Sequence, residues 1–294
     1  MNGLLLIDKS VGMSSAAVVG ILKRRLRVDR IGHAGTLDPF ASGLLVLLVG
    51  RATRLAAHAV TGGKTYSAEI AFGFETDTED CTGNRTVGTG AQPTLREVQV
   101  AAQQLVGTLK QEPPRFSAKK VKGERAYSLA RRGEFFELEP AVVTIDAIDV
   151  WGELGSDDAL RFFIRVVCSK GTYIRSIARD IGRALGCGAH LISLRRERSA
   201  PFSLSQSVSL EACSAESLLG WDYLFPDAVR CELEEDELPA LEQGREREIS
   251  RVIDRLNKID SVGRRHGIGV APNGRAHSFF VCSEDGWRFG LSAP

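Results

Sequence analysis

No uninterrupted apolar stretch in the 294 residues reaches the length of a membrane-crossing helix, and the N-terminus lacks the basic, apolar, small-residue order of an export signal. A soluble, cytoplasmic protein is expected. Cysteine is sparse and scattered: Cys81, Cys168, Cys187, Cys213, Cys231 and Cys282 form no C-x-x-C pair, and no histidine pair stands near them at ligand spacing. Free thiols are expected, with no bound metal. A phosphate-cradling G-x-x-x-x-G-K-[ST] loop is missing too. Gly62-Gly63-Lys64-Thr65 imitates its end, but the first glycine would have to stand at position 58, which is His58.

The chain also lacks an overall charge of either sign, at a formal +1, yet that average conceals strong segregation. Residues 1–66 carry nine Lys or Arg against three acids, whereas residues 134–160 carry eight acids and no Lys or Arg. Basic residues return between Lys110 and Arg132 and between Arg161 and Arg198. One such run is as readily a solvated helix face as a binding surface; three converging on one surface suit a polyphosphate partner. The 43% of hydrophobic residues is ample for one large domain, or for a large and a small one.

What the chain does contain is a carboxylate set in a sharply turned loop, Gly32-His33-Ala34-Gly35-Thr36-Leu37-Asp38-Pro39-Phe40-Ala41-Ser42-Gly43. Pro39 biases Asp38 away from helix, Gly35 and Gly43 permit backbone angles closed to other residues, and the apolar run Leu44 to Val49 predicts a buried anchor. Alone, Asp-Pro is a common turn dipeptide. The whole string, from His33 to Leu45, resembles the signature of the TruB-type pseudouridine synthases, which isomerise a uridine (position 55) in the T loop of transfer RNA.

Other segments extend the resemblance over about residues 4–202. Asp8-Lys9-Ser10-Val11-Gly12-Met13-Ser14-Ser15 is similar to the family's first motif, with Ser10 where a proline is usual, and Ser14 or Ser15 is expected to cap a helix running to about Arg25. Thr65 to Gly73 alternates as a strand, and Tyr66 at its start matches the family's active-site tyrosine. Thr94 is expected to cap a helix from Leu95 to Val106, and Val142 to Trp151 and Leu160 to Cys168 read as strands. Ser169 to Gly182 matches the motif whose arginine, here Arg175, pairs with the catalytic aspartate, with Tyr173 as a substrate contact. Leu194 would line the base pocket. The proline-broken, basic stretch Pro113 to Gly133, interleaved with Phe116 and Tyr127, suits an RNA backbone and resembles the family's RNA-gripping insertion (about 110–135). Lys9, Lys119, Lys120, Lys122 and Arg125 are taken as substrate contacts, and His33 as a residue that fills the space of the everted base.

The resemblance implies an α+β fold with a mixed, largely antiparallel central sheet and flanking helices. It assigns residues 1–228 to a catalytic domain and residues 229–294 to a small, divergent, β-rich module of the PUA type. It implies an isomerase without cofactor, in which Asp38 is nucleophile or base, Arg175 keeps it ionised by lowering its pKa, and Tyr66 receives the C5 proton. The partner is the T stem-loop of tRNA, and a monomer is expected. Three alternatives stay open: an RNA-binding module without turnover, a guide-RNA-dependent relative, and an N-glycoside hydrolase. The last normally needs a second acid, and none stands near Asp38 in sequence.

Overall fold

The two leucine-rich runs at the start of the chain pair with each other. In the computed structural model, which describes residues 1–59, 62–117, 119–121, 123–156 and 159–292, strand β1 (Gly3–Lys9) lies antiparallel to β3 (Ser42–Val49), with Leu6 opposite Val46. Both strands are buried on both faces, which is why neither alternates with polar residues. Leu5, Ile7, Leu45 and Leu47 enter one core, and Leu4, Leu6, Leu44 and Val46 enter the other. Each fully buried aliphatic side chain contributes roughly 1.5–3 kcal/mol, so this pair anchors everything attached to its ends.

Between them come helix α1 (Ser15–Arg25), capped by Ser14 accepting from the Ala17 N–H, and the short strand β2 (Ile31–His33) on the edge of β3. The chain continues through β4 (Lys64–Phe72), α2 (Leu95–Gln103) and β5 (Gly107–Gln111). Thr94 and Glu97 cap α2 reciprocally as its sequence predicts, but the helix ends three residues before Val106. A small excursion follows: hairpin strands β6 (Lys120–Val121) and β7 (Glu124–Arg125), then α3 (Ala126–Arg131). The long strands β8 (Ala141–Ser156) and β9 (Ala159–Cys168) lead into α4 (Ile174–Ala184), β10 (Ala189–Ser199), β11 (Phe202–Ser203) and β12 (Val208–Ser209).

Among the described residues the ten strands β1–β5 and β8–β12 form one mixed sheet, eight of them along the path β12-β1-β3-β10-β4-β9-β8-β5, with β2 paired to β3 and β11 to β10 off that path. Only β1 with β12 and β3 with β10 run parallel. Helices α1, α2 and α4 cover one face through Val18, Leu22, Val98, Ile177 and Ile181. The central position of β10 joins the Asp38 segment, attached to β3, to the Tyr66 strand β4.

A second sheet of four strands is made of β13 (Val229–Glu232), β14 (His266–Val270), β15 (Ala276–Ser283) and β16 (Gly286–Ser292). It is not purely β-rich. Helices α5 (Glu237–Glu242) and α6 (Glu246–Ile259) intervene, and Leu241, Val252 and Leu256 pack with Val229, Phe280 and Trp287. The opposite face of that sheet supplies Ile268, Phe279 and Leu291 to the core of Leu4, Leu6 and Leu44, so it is fused to the large sheet by a shared core.

Candidate active site

The loop carrying Asp38 is fixed from three sides. Gly35 and Gly43 both take positive φ, +102° and +100°, and a Cβ on Gly43 would stand 2.4 Å from the Arg196 carbonyl oxygen, so only glycine closes the turn against β10. Ser15 on α1 clamps the residue before Asp38: its hydroxyl accepts from the Leu37 N–H at 2.9 Å and donates to the Leu37 carbonyl at 3.0 Å. Lys9 closes the third side by donating to the carbonyls of Ser10, Met13 and Ala41. The Gly12 N–H also donates to the Pro39 carbonyl at 2.7 Å, so the first-motif turn is tied to the loop without the usual proline.

This corrects the reading of Lys9. Its side chain is fully buried, its ammonium is consumed by three carbonyls, and burial lowers its pKa to about 8. In the structure its ammonium serves to hold the loop.

Arg175 meets Asp38, as the family resemblance implies. Its Nε lies 2.9 Å from Asp38 Oδ2, the arginine 4% exposed and the aspartate 35%. Its other amino groups donate to the carbonyls of Thr78 and Phe116, each at 2.9 Å, and one lies 3.9 Å from Asp80 Oδ2. One guanidinium therefore ties together the Asp38 loop, the Thr78–Asp80 loop and the base of the hairpin excursion. Helix α4 sets its place: Ser176 donates to the Glu112 carbonyl at 2.8 Å, and Arg179 pairs with Glu79 at 2.7 Å.

The direction of the Asp38 pKa differs from the expectation. Loss of hydration raises it above the usual carboxylate range and outweighs the attraction of Arg175, with Asp80 adding to the rise. Arg175 aims the carboxylate and limits the rise without reversing it.

Asp38, Tyr66, Tyr173, Arg175 and Leu194 line one cavity of about 250 Å³, together with Lys64 and Ser117. Among the described lining residues Asp38 is the one carboxylate. Tyr66 is buried and its phenol is pushed up by burial, while the Arg196 charge pulls it back. Tyr173 is held by Gln111, whose side chain accepts from the Tyr173 N–H at 2.8 Å and donates to its carbonyl at 3.1 Å.

The other anticipated contacts are placed less directly. His33 sits on β2 outside the cavity lining, half-buried, its pKa lowered by burial and by the charges of Arg196 and Arg125. Lys119 donates to the Glu139 carbonyl, while Lys120 and Arg125 are exposed on the hairpin. Lys122 lies outside the described residues. Sequence reasoning passed over Asp80, Lys64 and Arg196. Asp80 sits in a threonine-rich turn that reads as a polar loop, and its buried carboxylate accepts from Thr78 and from the Thr82 N–H. Lys64 and Arg196 had a usable signal: Lys64 stands two residues before Tyr66, and Arg196 two after Leu194, each on the same strand face as its neighbour.

Residues 23–174 match the N-terminal domain of the TruB family of pseudouridylate synthases, and residues 175–223 match the C-terminal domain of tRNA pseudouridylate synthase B. The chain belongs to the TruB family. A curated TruB relative, tRNA pseudouridine synthase B of Bordetella pertussis, is 44% identical over 245 residues, covering 82% of this chain and 94% of that protein. The Xanthomonas axonopodis pv. citri protein of that name is 45% identical over 73% of this chain and 69% of its own. Among solved structures, a Cbf5–Nop10–Gar1 complex aligns with a TM-score of 0.65 at 21% identity, covering 95% of this chain and 78% of that one. An H/ACA ribonucleoprotein bound to a substrate RNA containing 2′-deoxyuridine aligns at 0.64 with 18% identity, over 99% and 84%. Those two likenesses establish the fold alone. The two family-model matches end at residue 223, just before β13, whereas the 245-residue likeness to the Bordetella pertussis protein runs past that point.

Proposed function

We propose that this TruB-family chain converts the uridine at position 55, in the T loop of tRNA, to pseudouridine. The observation that carries the reading is the 2.9 Å pair between Asp38 and a buried Arg175 at the wall of a cavity also lined by Tyr66, Tyr173 and Leu194. The cavity takes one nucleobase, and the target must leave its stack at a cost of roughly a few kcal/mol. Asp38, fixed in rotamer by the guanidinium, acts as the nucleophile or base that lets the C1′–N1 bond break. Leu194 and the ring of Tyr66 retain the freed uracil while it turns to present C5 to C1′. Once C5–C1′ has formed, Tyr66 is placed to take the C5 proton.

A single carboxylate lining the cavity favours isomerisation over glycoside hydrolysis, which normally uses two. Residues 1–228 form the catalytic unit in this reading, residues 229–294 a small accessory module, and residues 110–135 an RNA-gripping excursion. The partner is the T stem-loop, the enzyme acts as a monomer without cofactor, and its compartment is the cytoplasm. Among the described residues no helix is long and apolar enough to cross a membrane.

The test is incubation of the purified protein with a T-stem-loop transcript, followed by mapping of the modified position. Pseudouridine at position 55, with no guide RNA added and no free uracil released, is expected. Free uracil would indicate hydrolysis, and conversion only with a guide RNA would move the chain to the guide-dependent class.

The excursion has its own consequence. Replacing both Lys120 and Arg125 by Ala should weaken RNA binding and lower the log–log salt slope by roughly 0.7–0.9 for each phosphate no longer neutralised. An unchanged slope in a fluorescence-anisotropy titration would show that these exposed cations do not meet the RNA backbone.

A further inference from the structure

Arg196 heads the fully buried side chains of the protein by volume, and among the described residues no carboxylate pairs with it. Its Nε donates to the Leu44 carbonyl at 2.7 Å and its Nη2 to the Gly35 carbonyl at 3.0 Å. Nη1 is buried with no aligned acceptor. A Cβ on Gly35 would stand 3.4 Å from that atom and 3.3 Å from Lys64 Nζ, so both cations lie directly under the turn that leads to Asp38.

Anchoring two carbonyls does not require a charge, since neutral donors can serve carbonyls too, though with weaker bonds. An unneutralised guanidinium in the interior costs several kcal/mol, and its retention calls for a use. The sheet register points to that use. In the antiparallel β4–β10 pair Arg196 stands directly opposite Tyr66, and directly opposed residues project from the same face. The guanidinium lies close enough for its charge and hydrogen bonding to favour the phenolate against a burial that disfavours it.

We propose that Arg196 is a positioning residue for Tyr66: anchored on Leu44 and Gly35, it holds its remaining amino group and its unneutralised charge toward the phenol, so that the phenolate the C5 step needs forms more readily than burial alone would allow. The inference rests on the proton-accepting role given to Tyr66 above. In that step the C5–H bond breaks and its electron pair becomes the C5–C6 double bond. The former N1–C6 π pair moves to N1, which takes a proton from water. The proton from C5 forms the O–H bond of Tyr66 and later returns to solvent. A neutral phenol cannot accept that proton, so a cation beside the oxygen sets the rate of the step.

Arg196→Gln keeps a donor near the position of Nε for the Leu44 carbonyl and removes the charge. Its single-turnover rate on a T-stem-loop should fall by roughly 10- to 100-fold, within the range of a general base, with RNA affinity nearly unchanged. A primary isotope effect should emerge with 5-deuterouridine at the target. In a Tyr66→Phe background the same substitution should cost nothing further, because both act on one step. Arg196→Lys, which keeps the charge, should recover most of the rate and suppress the isotope effect. Should Arg196→Gln not fold, coupling is read from Arg196→Lys, whose residual loss must vanish in the Tyr66→Phe background. Additive losses, or a fall in RNA affinity matching the fall in rate, would overturn the inference. A Tyr66→Phe enzyme with normal turnover would instead remove the phenol from the mechanism and leave the Asp38 assignment standing.

Discussion

Asp38→Asn is expected to reduce single-turnover pseudouridine formation by about 10⁴-fold or more, as loss of a nucleophile does in other enzymes, while the protein binds RNA as before. Stability should not fall with it. The Asp38 pKa is raised in the folded chain, and that direction already includes the attraction of Arg175. A raised folded-state pKa means that the fold binds the proton more tightly than the unfolded chain does. Ionised Asp38 therefore destabilises at neutral pH, and the deficit vanishes as pH falls below the unfolded value. Asparagine mimics the protonated form, keeps an oxygen for Arg175 Nε, and leaves Asp80 beside the guanidinium. The variant should melt no lower than the wild type at pH 7, and the two curves should converge in acid. Wild-type activity should fall on the acid side as Asp38 takes up its proton, at a higher pH than for an ordinary aspartate. A measurable residual rate in Asp38→Asn near that of the parent would end its assignment as nucleophile or base.

The pairing of Asp38 with Arg175 was legible through the family resemblance, whereas the residues alone showed only that Asp38 sits in a turn and Arg175 in the first turn of a helix. Ser14 as a cap and Thr94 with Glu97 were legible from local strings. Lys9, Lys64 and Arg196 were not. A cation in sequence is read as solvated, and only the tertiary arrangement shows that three carbonyls swallow Lys9 while strand β10 carries Arg196 inward. The sign of the Asp38 shift was hidden likewise, since the partner is visible in the sequence and the desolvation is not. The helices α5 and α6 went unread for another reason: charge dominates residues 232–258, yet Ile249, Val252, Ile253 and Leu256 recur at helical spacing.

Arg175→Met should damage both activity and stability, and the two losses should separate by pH. The substitution strips the Thr78 and Phe116 carbonyls of their donor and leaves Asp38 and Asp80 facing each other without a cation. Breaking a buried pair from one side costs about 3–5 kcal/mol, which in a chain of this size lowers the melting temperature by roughly 6–15 °C. Without the guanidinium the repulsion from Asp80 and the loss of hydration are offset by Lys9 but no longer by Arg175, so the Asp38 pKa rises further and the acid limb of the pH–rate profile moves to higher pH. Raising the pH should therefore recover part of the activity of a folded Arg175→Met protein but none of its lost thermal stability. Arg175→Lys restores the charge without the three-way fork: it should return the acid limb toward the wild-type position while leaving most of the stability loss in place. If the acid limb of Arg175→Met coincided with that of the parent, Arg175 would be a bracket between loops and would have no part in setting the charge state of Asp38.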